Sequence, residues 1–328
     1  MRLAPPGYRF LFVVTALFTV GAVALAVTYR NRWQAASAEV ALRNEMNPFA
    51  ISMNKTRDKE YAFVVENYGY KYRGTSGNLI DDAVIVFGAW EKHILFFLED
   101  YTAAAGVRDT AFVDVGANTG QYTLFMAPRA KAVHAIEPFP PVLKTLHANL
   151  ALNDFKNVTV HEVGLGDKPG SIPFFEPADA NHGGGTFREE GHDGKGQKRS
   201  ADLPVVTGDS ILASAGPIGT MKIDIEGFEE AALKGLRQTL EMNRPLVVVE
   251  VSTPPAGTIA SLEQLKGLFP ADYEFFVLVE NEKQFVTGRY EVKEFPPLAD
   301  AFFKEGGQRN LIAVPTEKAD KMPRSRAK

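Results

Sequence analysis

The stretch FVDVGANTGQYTL, residues 112–124, decides the fold. AFVDV (111–115) is a short apolar run with Val and Phe, which reads as a buried strand. Thr119–Pro128 is helical in pattern. The turn between them holds Asp114, Gly116, Asn118 and Gly120. Glycines there let the backbone come close to a ligand, and parallel α/β sheets bind ligands at the carboxyl ends of their strands. The spacing is D-x-G-x-x-x-G. It is not the G-x-G-x-x-G of dinucleotide sites, and no Lys-Ser/Thr follows Gly120 to make a phosphate-gripping loop. A cofactor that needs a carboxylate beside the glycine turn, rather than a pyrophosphate cradle, fits better.

Outward from this turn the chain alternates. AVHAIE (132–137), NVTVHEVGL (157–165), MKIDI (221–225), LVVVEV (246–251), EFFVLVE (274–280) and NLIAV (310–314) read as strands. Val142–Leu152, Phe228–Leu240 and residues 258–268 read as helices, with Leu143, Leu146 and Leu150 on one face of the first. That rhythm predicts an α/β fold with a mostly parallel sheet covered on both sides. Upstream, DDAVIVFG (81–88) looks like a strand and Trp90–Tyr101 like a helix. Residues 171–210 break the rhythm with SIPFF and LPVV around a polar stretch, either a lid or a plain surface loop.

The 328 residues are 45% hydrophobic and 23% charged, which excludes wholesale disorder. With no cysteine, disulfides, thiolate metal sites, Fe–S clusters and a cysteine nucleophile are excluded. The net charge of −4 is uneven. Residues 1–32 carry four arginines and no acid, leaving 32 bases against 40 acids beyond them. So acidic a body is a poor nucleic-acid binder, and no nucleic-acid partner is expected.

Residues 10–28, FLFVVTALFTVGAVALAVT, hold no charge. As a helix they would span roughly 28 Å, close to a bilayer's hydrocarbon thickness. With Arg9 and Arg30 outside its ends and Tyr8, Tyr29 and Trp33 nearby, the run predicts a transmembrane helix. A cleaved signal peptide is the competing reading, although its apolar region would normally be shorter. The expected organisation is a membrane anchor over 1–32, a stalk and N-terminal cap over 33–80, a catalytic domain over 81–316 and a basic flexible tail over 317–328.

Further candidates follow the same strand ends. Glu137 closes the second strand, where an acid can accept hydrogen bonds from both hydroxyls of a ribose. Asp167, in Gly164-Leu-Gly-Asp, could accept from an adenine amino group. Asp224 and Glu226 end a strand and open a helix, where they act either in the site or as dipole-favoured caps.

FVDVGANTGQYTL, AIEP, GLGD and above all MKIDIEGFE-x-x-x-LKG, in this order, resemble the FkbM-type family of S-adenosylmethionine (SAM)-dependent methyltransferases over roughly residues 80–250. The resemblance implies a Rossmann-like class I methyltransferase fold, with a seven-stranded, mostly parallel sheet and one antiparallel strand near the C-terminus. It implies SAM as cofactor and O-methylation of a sugar or natural-product hydroxyl. Asp114, Gly116, Asn118 and Gly120 would then line the methionine end of SAM, Glu137 the ribose and Asp167 the adenine. Asp224 and Glu226 would lie by the sulfonium and the acceptor. The departures are the N-terminal apolar run and the polar insertion 188–202.

Methyl transfer to an alcohol needs a proton acceptor within hydrogen-bond reach. Asp224 is the first candidate, Glu226 the second and His182 a weaker third. Two carboxylates are too few ligands to specify a cation, so no metal is expected. The expected partners are a small-molecule or glycan acceptor and the lipid bilayer, with the catalytic domain on the cytoplasmic side of a single-pass membrane protein. The alternatives are a membrane-anchored binding module without catalysis and an NAD-dependent oxidoreductase. The second would want a glycine where Asn118 stands.

Overall fold

In the computed structural model, residues 61–176, 185–189, 198–280 and 288–326 are described. They open with an antiparallel hairpin, β1 (Ala62–Asn67) and β2 (Tyr70–Thr75), then helices α1 (Leu79–Phe87) and α2 (Lys92–Ala104). Next come β3 (Ala111–Val115), α3 (Gln121–Met126), β4 (Ala132–Ile136), α4 (Pro140–Ala151) and β5 (Val158–His161). Short β6 (Gly164–Leu165) leads to β7 (Gly170–Glu176) and β8 (Lys198–Val206), followed by α5 (Gly208–Leu212), β9 (Ile218–Ile223), α6 (Glu229–Gly235), α7 (Arg237–Asn243) and β10 (Leu246–Ser252). The chain closes with α8 (Leu262–Gly267), β11 (Tyr273–Glu280), β12 (Tyr290–Glu294), α9 (Pro296–Glu305), β13 (Gln308–Pro315), a 3-10 turn (Thr316–Lys321) and β14 (Ser325–Arg326).

The central sheet has the order β14-β12-β11-β13-β10-β9-β3-β4-β5. Neighbours from β5 through β10 pair in parallel, and β13 enters antiparallel between β10 and β11. Every residue of AFVDV and IGTMKI is buried, as strands covered on both faces require. Alternate side chains feed two cores. Phe112, Leu246, Val248 and Ile312 meet α2, α3 and the β1–β2 hairpin on one face. Val113, Val247, Val249 and Leu311 meet α5 to α9 on the other. The result is the expected α/β Rossmann-like arrangement.

The chain leaves β3 toward β4 and β5 on one side, then returns through β9 on the other. This reversal opens a crevice beyond the carboxyl ends of β3 and β9, the place where open α/β sheets bind ligands. It is where Gly116 and Asp224 sit.

Several expectations need correction. Among the described residues the sheet has nine strands, not seven, because β12 and β14 extend the edge past β11. DDAVIVFG is helical: Asn78 caps Asp81 N, Gly88 ends the helix at φ 92°, and the Asp81 carboxylate takes the Tyr72 hydroxyl and Thr75 N. These polar anchors outweigh the β preference of Val-Ile-Val. The 157–165 strand splits into β5 and β6, which belong to different sheets. The 228–240 helix breaks at Leu236, beside Gly235, where a Cβ would stand 2.0 Å from Gly166 O. Part of the polar insertion is ordered as β8, antiparallel to β7 in a three-stranded sheet with β6. The tail is not loose over 317–326. Ala319 and Met322 are buried, and Ser325–Arg326 pairs with Tyr290–Glu291.

The single-pass membrane localisation is also corrected. Among the described residues no helix is long and apolar enough to cross a membrane. The longest, α2, has 13 residues, about 20 Å against a hydrocarbon core of about 30 Å. The run 10–28 lies outside the described residues, as does His182.

Candidate active site

A cavity of about 290 Å³ occupies the crevice, near the lower end of the range for small-molecule sites. Its floor is the turn after β3. Gly116 has φ +83° and Asn118 φ +50°. A Cβ at Gly116 would meet Asp224 O at 1.9 Å, so only glycine lets the β3 and β9 turns touch. Asp224 N donates to Val115 O at 3.0 Å and closes this junction.

The turn is braced from outside the sheet. The Tyr72 hydroxyl lies 2.7 Å from Asp81 Oδ1 and 2.6 Å from Thr119 Oγ1. Asn149 Nδ2 donates to Thr119 O at 2.9 Å. The hairpin and α4 thus fix the loop that the cavity uses.

Glu137 lines the cavity and is 8% exposed. Asn118 N and Phe139 N donate to its two oxygens, each at 3.0 Å. Each oxygen keeps a second acceptor direction, the arrangement a ribose diol needs. Burial raises its pKa to about 7, although the two backbone bonds oppose the rise.

The turn after β9 places Asp224 and Glu226 on the cavity wall. Neither caps a helix. Glu229 does the local work, accepting from Ile225 N (3.2 Å) and Gly227 N (3.0 Å) at Oε1. Lys222 Nζ donates to Asp224 Oδ2 at 2.7 Å and sits 4.3 Å from the centre of the Tyr122 ring. Burial works against the Lys222 ammonium, but Asp224, Glu91 and Asp114 outweigh it and hold its pKa above the usual range. Glu226, half-buried at φ +53°, makes no side-chain hydrogen bond among the described residues. Burial, then Asp224 and Glu229, raise its pKa to about 8.

Two acids were missed by sequence reasoning. Glu250, on β10, has carboxylate oxygens within 4.8 Å of those of Asp224 and Glu226, and accepts from Gln308 Nε2. Burial and neighbouring carboxylates hold its pKa well above the usual range. Its signal was available: a lone acid in the valine run LVVVEV is anomalous for a buried strand. Glu91, just before α2, also lines the cavity and has no comparable signal. The trio of Asp224, Glu226 and Glu250 exceeds the pair Asp224 and Glu226 weighed from the sequence, at a spacing that could hold a cation.

The remaining assignments divide. Asp114 is fully buried and lies behind the lining, with Oδ2 taking the Thr123 hydroxyl at 2.6 Å and Oδ1 unpartnered among the described residues. Gly120 does not line the cavity; a Cβ there would meet Leu146 Cδ1 at 2.6 Å, so it serves packing against α4. Asp167 is exposed and also stands outside the lining, because the chain turns outward after Gly166. In its place Val163, Gly164 and Leu165 line that end, facing Phe139, Phe174 and Phe187. Phe139 stacks on Phe174 at 4.9 Å, and Phe187 meets Phe174 edge-on at 5.2 Å. The rhythm-breaking segment 171–210 therefore contributes Phe174, Gly185 and Phe187 to the cavity wall.

Residues 114–280 match the family model described as "Methyltransferase FkbM domain", just over half of the chain. A curated relative, Methyltransferase 1 of Beauveria bassiana (strain ARSEF 2860), is 27% identical over 165 residues, covering 43% of this chain and 64% of the relative. The chain thus spans a little under two thirds of that relative's length. Among solved structures, methyltransferase FkbM from Methylobacillus flagellatus KT shares 18% identity, with 63% of this chain and 44% of that one covered at a TM-score of 0.37. The SAM-dependent methyltransferase from Agrobacterium tumefaciens shares 8%, covering 78% and 70% at a TM-score of 0.41. Both are loose likenesses.

Proposed function

The chain belongs to the methyltransferase FkbM domain family, and from that premise we propose that it moves a methyl group from SAM to a hydroxyl of a small-molecule or glycan acceptor. The observation that supports this best is the composition of one cavity: a doubly anchored Glu137 beside an aromatic wall at one end, and a cluster of carboxylates at the other. An adenosine with a positively charged amino-acid tail fits that order. Glu137 would hold the ribose hydroxyls, Val163, Leu165 and Phe139 would flank the base, and Gly116 and Asn118 would meet the methionine end. The unpartnered Asp114 Oδ1 leaves an acceptor behind the same turn. A nicotinamide cofactor is disfavoured, because a fixed, φ-positive Asn118 occupies the turn where a pyrophosphate needs glycine.

When bound, SAM supplies a methyl on a positively charged sulfur, so the protein's task is alignment and proton removal. Asp224 already accepts from Lys222 Nζ at 2.7 Å, so its Oδ2 is committed to that ion pair. Glu226 is better suited: it faces the cavity, is held near a pKa of about 8, and has a carboxylate not committed to a hydrogen bond among the described residues. We therefore assign Glu226 the acceptor's proton and Asp224 the task of orienting Lys222 and the turn. The test compares Glu226→Gln and Asp224→Asn, measuring methyl transfer from labelled SAM and SAM affinity by calorimetry. Glu226→Gln is expected to lower turnover by about 10²–10⁴ with SAM affinity within about threefold. Unchanged turnover removes Glu226 from the reaction.

A further inference from the structure

The cavity's acids outnumber its cations. Asp224, Glu226, Glu250 and Glu91 line it, with Asp114 behind, and among the described residues Lys222 is the one lysine or arginine in its lining. Lys222 Nζ is bonded to Asp224 at 2.7 Å, so the other carboxylates receive only its longer-range field.

Glu91 is built into this position with unusual care. It is the residue preceding α2, where an acid normally accepts from the first free N–H groups. Its side chain makes no such bond. The backbone is instead left-handed, at φ 46° and ψ 45°, a conformation that a non-glycine residue adopts at a cost. Trp90 N donates to Gln121 Oε1 at 2.6 Å and Gln121 Nε2 returns a bond to Trp90 O at 2.9 Å, which fixes the turn. The carboxylate, 9% exposed, is aimed by the Tyr122 hydroxyl (2.8 Å) and Asn310 Nδ2 (3.1 Å). Two separate elements, α3 through Gln121 and Tyr122 and β13 through Asn310, thus hold one acid at the wall of a cavity whose described lining is short of positive charge. Burial raises the Glu91 carboxyl to about 7 despite Lys222, as expected for a group awaiting a cation.

We propose that Glu91 is the residue by which the site distinguishes the cationic sulfonium of SAM from the neutral thioether of its product, S-adenosylhomocysteine (SAH). This rests on the SAM-dependent reading above. The two ligands differ in one methyl and one positive charge. A fixed negative group near the sulfur favours the donor and helps the spent cofactor leave once the charge is gone.

The test is calorimetric titration of SAM and of SAH into the wild-type chain and into Glu91→Gln. Glutamine keeps the shape, can still accept from Asn310 and can donate to the Tyr122 oxygen, so it removes charge with little loss of bonding. The expected result is a loss of about tenfold or more for SAM and less than about threefold for SAH. Glu91→Asp, which keeps the charge, retains a preference for SAM, and Glu91→Ala serves as the neutral variant if the glutamine form does not fold. Equal losses for both ligands, or no change in either, overturn the proposal and make Glu91 a scaffold residue. A wild-type chain that binds neither ligand instead defeats the SAM-dependent reading itself.

Discussion

Gly116→Ala is the most informative single perturbation of the site. At φ +83° an alanine pays about 1–2 kcal/mol for its backbone conformation. Its Cβ would also stand 1.9 Å from Asp224 O, a contact that must widen by roughly 1.5 Å to become ordinary. Neither partner is a flexible side-chain tip, so β3 and β9 must part at their ends, straining the Asp224 N to Val115 O bond. Overpacking of this kind costs about 1–3 kcal/mol more, for a total of about 2–5 kcal/mol. For a chain of this size, that lowers the melting temperature by about 4–20 °C. Gly106→Ala is the control: φ is +67° with nothing within 4 Å, so it pays the backbone cost alone. Circular dichroism melts of both variants, with SAM calorimetry, separate the two contributions. A displaced Asp224 and Glu226 also predict methyl transfer reduced by about 10² or more even where the variant is folded. If Gly116→Ala melts with the Gly106→Ala control and keeps wild-type turnover, the close junction between the two turns is not what shapes the site.

Other expectations follow from the same geometry. With Glu226 as base, turnover should rise with pH through a midpoint near 8, and Glu226→Gln should flatten that limb; a profile unchanged by the substitution contradicts the assignment. Glu91, Glu137 and Glu229 are each held at about 7 against 4.5 for the free carboxyl, so the folded chain binds more protons than the unfolded one between those values. Their contribution to stability is full below about 4.5 and is lost as pH rises through about 7. Glu229→Gln, which keeps Oε1 as the acceptor for Ile225 N and Gly227 N, should reduce this loss in denaturant titrations at pH 6 and 8. Phe187→Ala, opening the aromatic wall, should weaken SAH binding by about 5–150-fold if the base lies there, since stacking on an aromatic side chain is worth about 1–3 kcal/mol.

Much of the frame was legible because central strands announce themselves. AFVDV, LVVVEV and NLIAV are apolar on both faces, and only a sheet covered twice can bury them. Gly116, Asn118 and Glu137 line the cavity because they lie just beyond such strands, while Asp114, one residue before the end of β3, stands behind it. What local pattern could not show was decided by distant partners. Asp81–Gly88 has strand-like side chains, yet Tyr72 and Asn78 hold it as a helix. Asp167 shares its motif with Gly164 but faces solvent, because the chain turns toward β7. Glu91 and Glu250 reach the cavity from segments distant in sequence from either glycine turn, so no spacing rule links them to it.

The account depends on the Glu137 end of the cavity accepting an adenosyl group. The most direct measurement is a calorimetric titration of SAM into the full chain, beside Glu137→Ala checked for folding by circular dichroism. Saturable one-to-one binding in the wild type, weakened by about tenfold or more in the variant, is the predicted result. No binding by the folded wild-type chain up to millimolar SAM, or equal affinity in the two proteins, would contradict it.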